Sequence, residues 1–303
     1  MRAGRAAALV LALLLVAGCA QAGSTRYCDE GQPLNAAQKD RLLRFAGIVK
    51  AELGRSGARL ALVSRSGLDL DFFGVRYSHG GVSLLAGADT PWAVRQLYFS
   101  CDERRPRIYD QGIAAFVLGT HQPDIGYVSA VLLPPEAEAA VQAVAADKQR
   151  ALQLLGPVYS ANAYAFATLY QNCNQWTAEL LAAAWGPDLG TLDSETARGR
   201  AQAWLRASGY YPMAMELGWR PLMWASAAIP WLHRDDHPAA DLDANRFRVS
   251  MPAAIEAYAR ARAPGARRLE FCHDAKQVVI RRGWELLPEG CRPGPGDEVI
   301  ALD

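Results

Sequence analysis

Tyr170-Gln-Asn-Cys-Asn-Gln-Trp-Thr-Ala-Glu-Leu-Leu-Ala-Ala-Ala-Trp185 predicts a buried helix with a cysteine in its first turn. Asn172 is a good N-cap, and Gln175 lies three residues later, where a capping-box side chain reaches back. Apolar residues recur at helical spacing until Gly186 and the proline after it end the helix. Cys173 then takes the first helical position, where free backbone N–H groups and the helix dipole stabilise a thiolate. Such a cysteine is either an activated nucleophile or a buried structural thiol.

The N-terminus has the pattern of an export signal. Two arginines precede an apolar run of 11 residues, 6–16, which is too short to span a bilayer comfortably. The following Val16-Ala-Gly-Cys19 resembles a bacterial lipobox, in which Cys19 is lipidated and becomes the mature N-terminus. We therefore expect a signal peptide over 1–18 and a lipid anchor on the periplasmic side of the outer membrane. Ordinary cleavage after Ala22 is the alternative and would give a soluble periplasmic protein.

Composition indicates an ordinary globular protein. The chain has 303 residues, 51% of them hydrophobic, and its 32 basic and 31 acidic residues are interspersed. A chain of this length can build one sizeable core, and this composition argues against extensive disorder. No basic footprint exists, so nucleic acid is not an expected partner. We expect a tether over 19–35 and one elaborated α+β domain over 36–303.

The cysteine count adds a constraint. The six cysteines are Cys19, Cys28, Cys101, Cys173, Cys272 and Cys291. Unpaired thiols are few in the oxidising periplasm. If the first is lipidated and Cys173 is set aside at its helix terminus, four remain and allow three pairings. Cys272 and Cys291 flank a predicted strand pair, which favours a Cys272–Cys291 disulfide and leaves a Cys28–Cys101 disulfide. This arithmetic supports a free Cys173.

Periodicity predicts the elements around the cysteine helix. Helices are expected over 36–54, 134–155 and 194–205 and after Ser250, and strands over 60–64, 76–85, 92–100, 126–133 and 277–282. The segment 217–232 is dense in Trp, Met and Pro. We expect it to be a buried irregular connection, or alternatively an apolar wall of a substrate site.

A cysteine nucleophile needs a base within hydrogen-bond reach and a third group to orient that base. Four of the five histidines lie in polar or loop-like surroundings; these are His121, His233, His237 and His273, of which His121 is kept as a weaker candidate. His79 differs, because it lies inside a predicted strand, Tyr77-Ser-His-Gly-Gly-Val-Ser83. The paired glycines leave space for another backbone or a ligand beside it. His79 is therefore the predicted base.

The register of the predicted hairpin names a partner for His79. If the turn is centred between Ala88 and Asp89, residues whose numbers sum to 177 face each other. His79 then lies opposite Tyr98, and Gln96 is a diagonal neighbour on the same face. The Gln96 amide oxygen could accept the imidazole N–H and fix its tautomer. A slip of one residue would place Arg95 there instead.

Ser78-His-Gly-Gly-Val82 on a strand, a polar residue on the next strand, and Asn172-Cys-Asn174 opening a helix together resemble the circularly permuted branch of the NlpC-type papain-like superfamily. That branch includes YiiX-like lipases or amidases, lecithin:retinol acyltransferase relatives and PPPDE peptidases, with motifs in the order His, polar residue, Cys. The resemblance covers about 36–190 and leaves 191–303 as a helical and β extension. The whole chain also resembles a bacterial family of unknown function placed near that superfamily.

Two positions depart from the pattern of those families. Relatives often have His, Glu or Asn where this chain has Gln96, which cannot carry charge. They often have an apolar residue where this chain has Gly80. Both departures leave room for a weakened or inactive site.

The resemblance implies a permuted papain-like fold, with an antiparallel sheet packed on the nucleophile helix. It also implies a thiol hydrolase or acyl-transfer enzyme acting on an amide or ester, such as a cell-wall peptide or an envelope acyl group. Cys173 would be the nucleophile, His79 the base and Gln96 the orienting residue. Three further residues could add an oxyanion or substrate donor; these are Tyr77, Tyr98 and Gln171.

Other classes of function stay open. One alternative is a non-catalytic periplasmic lipoprotein that uses the papain-like scaffold for binding or assembly. Another is a lipid-remodelling acyltransferase using the same residues. Neither a metal nor a cofactor is expected, because the chain has no Cys-x-x-Cys motif and the spacing of His233 and His237 falls in a loop before a proline.

Overall fold

The computed structural model describes residues 33–86, 90–120 and 122–302. Its α-helices are α1 Ala36–Arg55, α2 Ile113–Leu118, α3 Pro135–Ala146, α4 Lys148–Gln153, α5 Cys173–Trp185, α6 Ser194–Ala207, α7 Arg220–Ala225, α8 Ala239–Asp243 and α9 Pro252–Arg262. Its strands are β1 Leu60–Arg65, β2 His79–Leu84, β3 Ala93–Ser100, β4 Arg105–Gln111, β5 Gly126–Leu132, β6 Met213–Glu216, β7 Arg246–Val249, β8 Arg267–His273, β9 Gln277–Arg282 and β10 Glu298–Ala301. Within these described ranges no helix is both long enough and apolar enough to cross a membrane.

Eight of the strands form one sheet in the order β10-β9-β8-β5-β1-β2-β3-β4, and β6 and β7 form a separate ribbon. Every neighbouring pair in the large sheet is antiparallel. The predicted α+β class with an antiparallel sheet is confirmed at this level. The papain-like core is expected to end near residue 190, but the large sheet includes strands from both sides of that point. Strands β8, β9 and β10 come later in the chain and extend the sheet from β5.

Alternation along the strands gives the sheet two buried faces. Leu60 and Leu62 of β1 join a core with α3, α5, α6 and α9, which we call the first face. Ala61 and Val63, which alternate with these leucines along β1, join a second core with α1 and α2. We call this side of the sheet the second face. The cysteine helix α5 therefore packs on the first face.

Several predicted elements have different bounds in the structure. The helix expected over 134–155 is broken at Asp147, whose side chain caps α4 by accepting the N–H groups of Gln149 and Arg150. The strand expected from residue 76 begins only at His79. Strand β4 and helix α2 were not predicted, because their sequences lack a clear alternation or cap.

The segment 217–232 is not the buried connection that was expected. Trp219 and Trp224 are 65% and 73% exposed, and only Leu217, Met223 and Ser226 are buried among those whose side chains are described. The segment forms α7 and a short 3-10 helix over Ser226–Ala228. The apolar composition predicts burial, but few of the side chains in this segment reach a core.

The Cys272–Cys291 disulfide is confirmed, with Cα atoms 5.6 Å apart. The disulfide packs with Tyr77, Tyr127 and Leu287, where the start of β5 pairs with the end of β8. The proposed Cys28–Cys101 bridge depends on Cys28, which lies outside the described residues, as do Cys19 and His121. Among the cysteines that the structure describes, Cys173 is the free one, and it is buried.

Candidate functional site

The start of α5 follows the sequence prediction closely. Asn172 is the N-cap, and its Oδ1 accepts the Gln175 N–H at 2.7 Å, so Cys173 takes the first helical position. The capping box is only half formed. The Gln175 side chain donates to the carbonyls of Tyr164 and Ala167 instead, and so fastens the preceding loop to the helix.

The first turn of α5 contacts β2 on both sides of His79. Asn174 Nδ2 donates to the carbonyl of Ser78 at 3.0 Å. The thiol of Cys173 accepts a hydrogen bond from the Gly80 N–H. A Cβ on Gly80 would lie 3.1 Å from Val63 O and 3.4 Å from Asn174 Oδ1, so the missing side chain allows this close approach. The structure thus brings the cysteine to the strand that carries the histidine.

The predicted hairpin register is confirmed. Val82 pairs with Arg95, Ser83 with Val94 and Leu84 with Ala93, and each pair sums to 177. The ring of His79 stacks on Tyr98 with centroids 4.6 Å apart. Its Nε2 lies 2.7 Å from Gln96 Oε1.

This contact assigns the tautomer of the imidazole. An amide oxygen can only accept, so Nε2 of His79 carries the proton and donates it to Gln96. Nδ1 is then the unprotonated nitrogen of the neutral ring. The histidine is therefore held in the form that could accept a proton from a thiol at Nδ1.

Arg65 is a buried cation beside His79 that the sequence reasoning missed. It is paired with His79 across β1 and β2 and is 6% exposed. Its guanidinium donates to Tyr98 Oη at 2.8 Å and to the carbonyl of Gly119, and lies 5.4 Å from the Phe116 ring centroid. No carboxylate among the described residues pairs with it. The signal was weak, because an arginine that ends an apolar strand is normally exposed.

Burial sets the protonation of the site. It raises the pKa of Cys173 to about 11, although the N–H groups of Gly80 and Asn174 and the charge of Arg65 act in the opposite direction. Burial, followed by the charge of Arg65, lowers the pKa of His79 to about 3. The N–H groups at the helix terminus lower the pKa of the thiol as expected, but burial raises it by more. Desolvation outweighs the N–H donors, and the site holds a neutral thiol and a neutral imidazole.

The two side chains approach β2 from different directions. The His79 ring lies 6.1 Å from Phe116 of the second face, whereas Gly80 faces Asn174 and α5. No hydrogen bond joins the imidazole to the thiol in this described arrangement. His79 therefore lies on the second face and Cys173 on the first, with the backbone of β2 at Gly80 between them.

Of the three weaker candidates, only Tyr98 lies at the site. Tyr77 is buried away from it, where it hydrogen-bonds Glu270 beside the disulfide. Gln171 is fully occupied: its Oε1 accepts the Gly156 N–H, and its Nε2 donates to Leu154 O and Glu179. Neither Tyr77 nor Gln171 can serve as a free oxyanion donor here.

Two histidines expected in solvated surroundings are buried instead. His237 Nε2 donates to the backbone carbonyl of Asn162 at 2.8 Å, and His237 is 7% exposed. His273 is 1% exposed and packs on Phe45 with ring centroids 4.6 Å apart. In the part of the chain that the structure describes, no cluster of three His, Cys, Asp or Glu side chains could hold a metal ion.

Gly81 is the glycine on which the histidine side of the site depends. A Cβ there would lie 2.7 Å from Arg95 O and 2.9 Å from Gln96 Cβ. We expect Gly81→Ala to cost about 1–3 kcal/mol of unfolding free energy, because β3 must move and carry Gln96 away from His79. Urea denaturation of the full chain measures this. Gly54→Ala is the control, since nothing lies within 4 Å of that position in α1 and alanine favours a helix. Equal stability of both variants would contradict the expectation.

Residues 52–259 match the model of a family described as "Uncharacterized protein conserved in bacteria (DUF2145)". The matched span includes His79, Gln96 and Cys173 and ends before β8. Searches of the curated proteins and of the solved structures each found no match.

Proposed function

For this chain, which belongs to the bacterial family DUF2145, we propose the function of an envelope thiol enzyme. The enzyme would hydrolyse or transfer the acyl group of an amide or ester, and the proposal rests on the geometry of the site. Cys173 is the nucleophile, His79 the base and Gln96 the residue that orients the base. One observation carries the proposal: Gln96 fixes the tautomer of His79 at 2.7 Å while the first turn of α5 holds Cys173 against the next residue, Gly80. The permuted papain-like fold is part of the same proposal and rests on the order of these motifs.

In the proposed reaction, Nδ1 of His79 takes the proton from Cys173 as the sulfur attacks the carbonyl carbon and a C–S bond forms. The N–H groups of Cys173 and Asn174, at the helix N-terminus, stabilise the oxyanion. The C–N or C–O bond then breaks, and His79 returns the proton to the leaving group. Water hydrolyses the thioester to a carboxylic acid and the free thiol; a different acceptor gives acyl transfer.

The neutral resting pair constrains this mechanism. A pKa near 11 for Cys173 and near 3 for His79 disfavours a preformed thiolate–imidazolium pair. Proton transfer must accompany attack on bound substrate. Because the two side chains lie on opposite faces of the sheet here, the proposal requires the start of β2 to turn so that the ring reaches the thiol in the complex. The charge of Arg65 favours the thiolate and the oxyanion and disfavours a long-lived imidazolium.

A non-catalytic scaffold is the second candidate. The observation that favours it is the state of Cys173, which is 5% exposed and has its pKa raised by burial. A structural thiol in a protein core has both properties. In this alternative the envelope protein binds a ligand or assembles with a partner, and it catalyses no reaction.

Trapping the acyl-enzyme separates the two candidates. The full chain is incubated with p-nitrophenyl acyl esters and, separately, with peptide fragments of the cell wall, and the intact mass is measured. The proposal expects an acyl adduct on Cys173 that hydroxylamine releases and that Cys173→Ala lacks. His79→Gln should slow adduct formation without unfolding the chain. Absence of any adduct and of product release on both substrate classes would favour the scaffold.

A further inference from the structure

A cavity of about 650 Å³ lies at the end of the large sheet, where β5 and β9 end and β8 begins, beside the last turn of α1. The buried Leu132 and Leu269 and the partly buried Trp284 form apolar parts of its wall. Gly283 has a φ of 137°, which favours glycine, and this residue lets the chain turn after β9 and bring Trp284 to the cavity. A concave and mostly apolar space of this size suits a small organic ligand.

Three arginines in the wall of this cavity are held near the end of α1. The buried carboxylate of Glu52 holds two of them, because its Oε2 accepts from Arg282 at 2.9 Å and its Oε1 accepts from Arg55. The third, Arg267, donates to the carbonyl of Ser56, the residue after Arg55, at 3.2 Å. The cavity therefore combines an apolar wall with guanidinium groups from three separate elements, α1, β8 and β9.

Arginines without an ion pair outnumber such carboxylates around this cavity. Arg267 and Arg260 have no carboxylate partner among the described residues, and the guanidinium of Arg260 instead lies 4.9 Å from the centroid of the Trp284 ring. The neighbouring carboxylates that already pair with arginines are Glu52, Glu256, Glu270 and Glu298. Glu285, next to Trp284, is exposed and forms no ion pair in the described part of the chain. The unpaired charges are therefore two cations and one carboxylate, which favours an anionic ligand.

We propose that this cavity binds an amphiphilic anion with a single alkyl chain, its carboxylate or phosphate on Arg267 and its chain against Trp284, Leu132 and Leu269. The headgroup would supply the counter-charge that Arg267 lacks among the described residues, because a guanidinium matches the oxygens of both groups. The apolar wall would remove the chain from water. The residues that line the cavity include neither Cys173 nor His79, so binding here does not depend on the proposed reaction.

Isothermal titration calorimetry on the full chain tests this proposal. The probes are octanoate and octyl phosphate, with acetate as the matched probe that lacks the chain and octanol as the one that lacks the charge. We expect saturable binding of at least one amphiphile, and weaker binding of acetate and octanol. Arg267→Gln should weaken amphiphile binding about fivefold and Trp284→Ala about tenfold, because each variant removes one part of the recognition. The control Arg44→Gln should leave binding unchanged, since Arg44 pairs with Asp40 farther along α1.

Binding of octanoate alone would assign a carboxylate as the headgroup, and binding of octyl phosphate alone would assign a phosphate; both results support the proposal. Three results would overturn it. Neither amphiphile could bind, acetate or octanol could bind as tightly as the amphiphiles, or Arg267→Gln and Trp284→Ala could both bind like the wild type. Thermal melting verifies that each variant is folded. Arg267 is exposed, so Arg267→Gln keeps the test decisive even if Trp284→Ala does not fold.

Discussion

Arg198→Met is expected to lower the free energy of unfolding by about 3–5 kcal/mol, the range for removing one partner of a buried ion pair. Arg198 and Glu179 are both fully buried, and Arg198 Nε donates to the carboxylate at 2.9 Å. Burial already raises the pKa of Glu179 with the cation present. Without it, the carboxylate must either stay charged and unpaired or take up a proton.

The same guanidinium holds the loop that leads into α5. It donates to the carbonyls of Thr168 at 2.6 Å and of Tyr170 at 2.9 Å. Arg198→Met therefore also leaves these two acceptors unpaired, just before Cys173.

Urea denaturation of the full chain measures this effect. Arg282→Met is the matched control, because Arg282 pairs with Glu52 and Glu298 but is half exposed, and its loss should cost under about 1 kcal/mol. Adding Glu179→Gln to Arg198→Met should recover part of the loss, since the unpaired charge is removed. If the Arg198→Met and Arg282→Met variants were equally stable, the ion pair would not matter in this way.

Acidification from pH 6.5 to pH 4.5 is expected to destabilise the fold by about 2 kcal/mol for each of His79 and His273. Burial lowers the pKa of His79 to about 3 and that of His273 to about 4. Below pH 6.5 the unfolded chain binds protons that the folded chain does not. Stability is therefore full above about pH 6.5 and is lost as the pH falls toward these folded values.

Unfolding free energies measured between pH 7 and pH 4.5 test this slope. His79→Gln and His273→Gln should each flatten the curve by about 1 kcal/mol per pH unit on average over this range, whatever their own stability at pH 7. Carboxylates add to the slope equally in all three chains, so the differences isolate the histidines. A slope unchanged in both variants would mean that the folded chain keeps these rings protonated.

The local parts of the site could be predicted from sequence because they depend on short-range chemistry. Asn172 caps α5 through a contact three residues away, and Gly186 ends it. The contact between His79 and Gln96 follows from a hairpin whose register one turn position decides.

The remaining features depend on packing between distant segments. Arg65 meets His79 through a pairing of β1 with β2 across a 13-residue connection, which no short pattern determines. The neutral state of Cys173 reflects total burial, whereas the sequence displays only the helix terminus. Gln171 is adjacent to the cysteine in sequence, yet it donates to the buried Glu179 of α5, which in turn pairs with Arg198 of α6.

The order of strands in the large sheet has a consequence for the synthesis of the chain on the ribosome. Strand β5 pairs with β1 on one side and with β8 on the other, and β8 begins only at residue 267. Because synthesis starts at the N-terminus, the edge of β5 that pairs with β8 stays unpaired until more than 130 further residues have been added to the chain. An uncovered edge of this kind can pair with another chain. Premature termination after α5 and before β8 should therefore yield aggregates, even though such a fragment contains Cys173, His79 and Gln96.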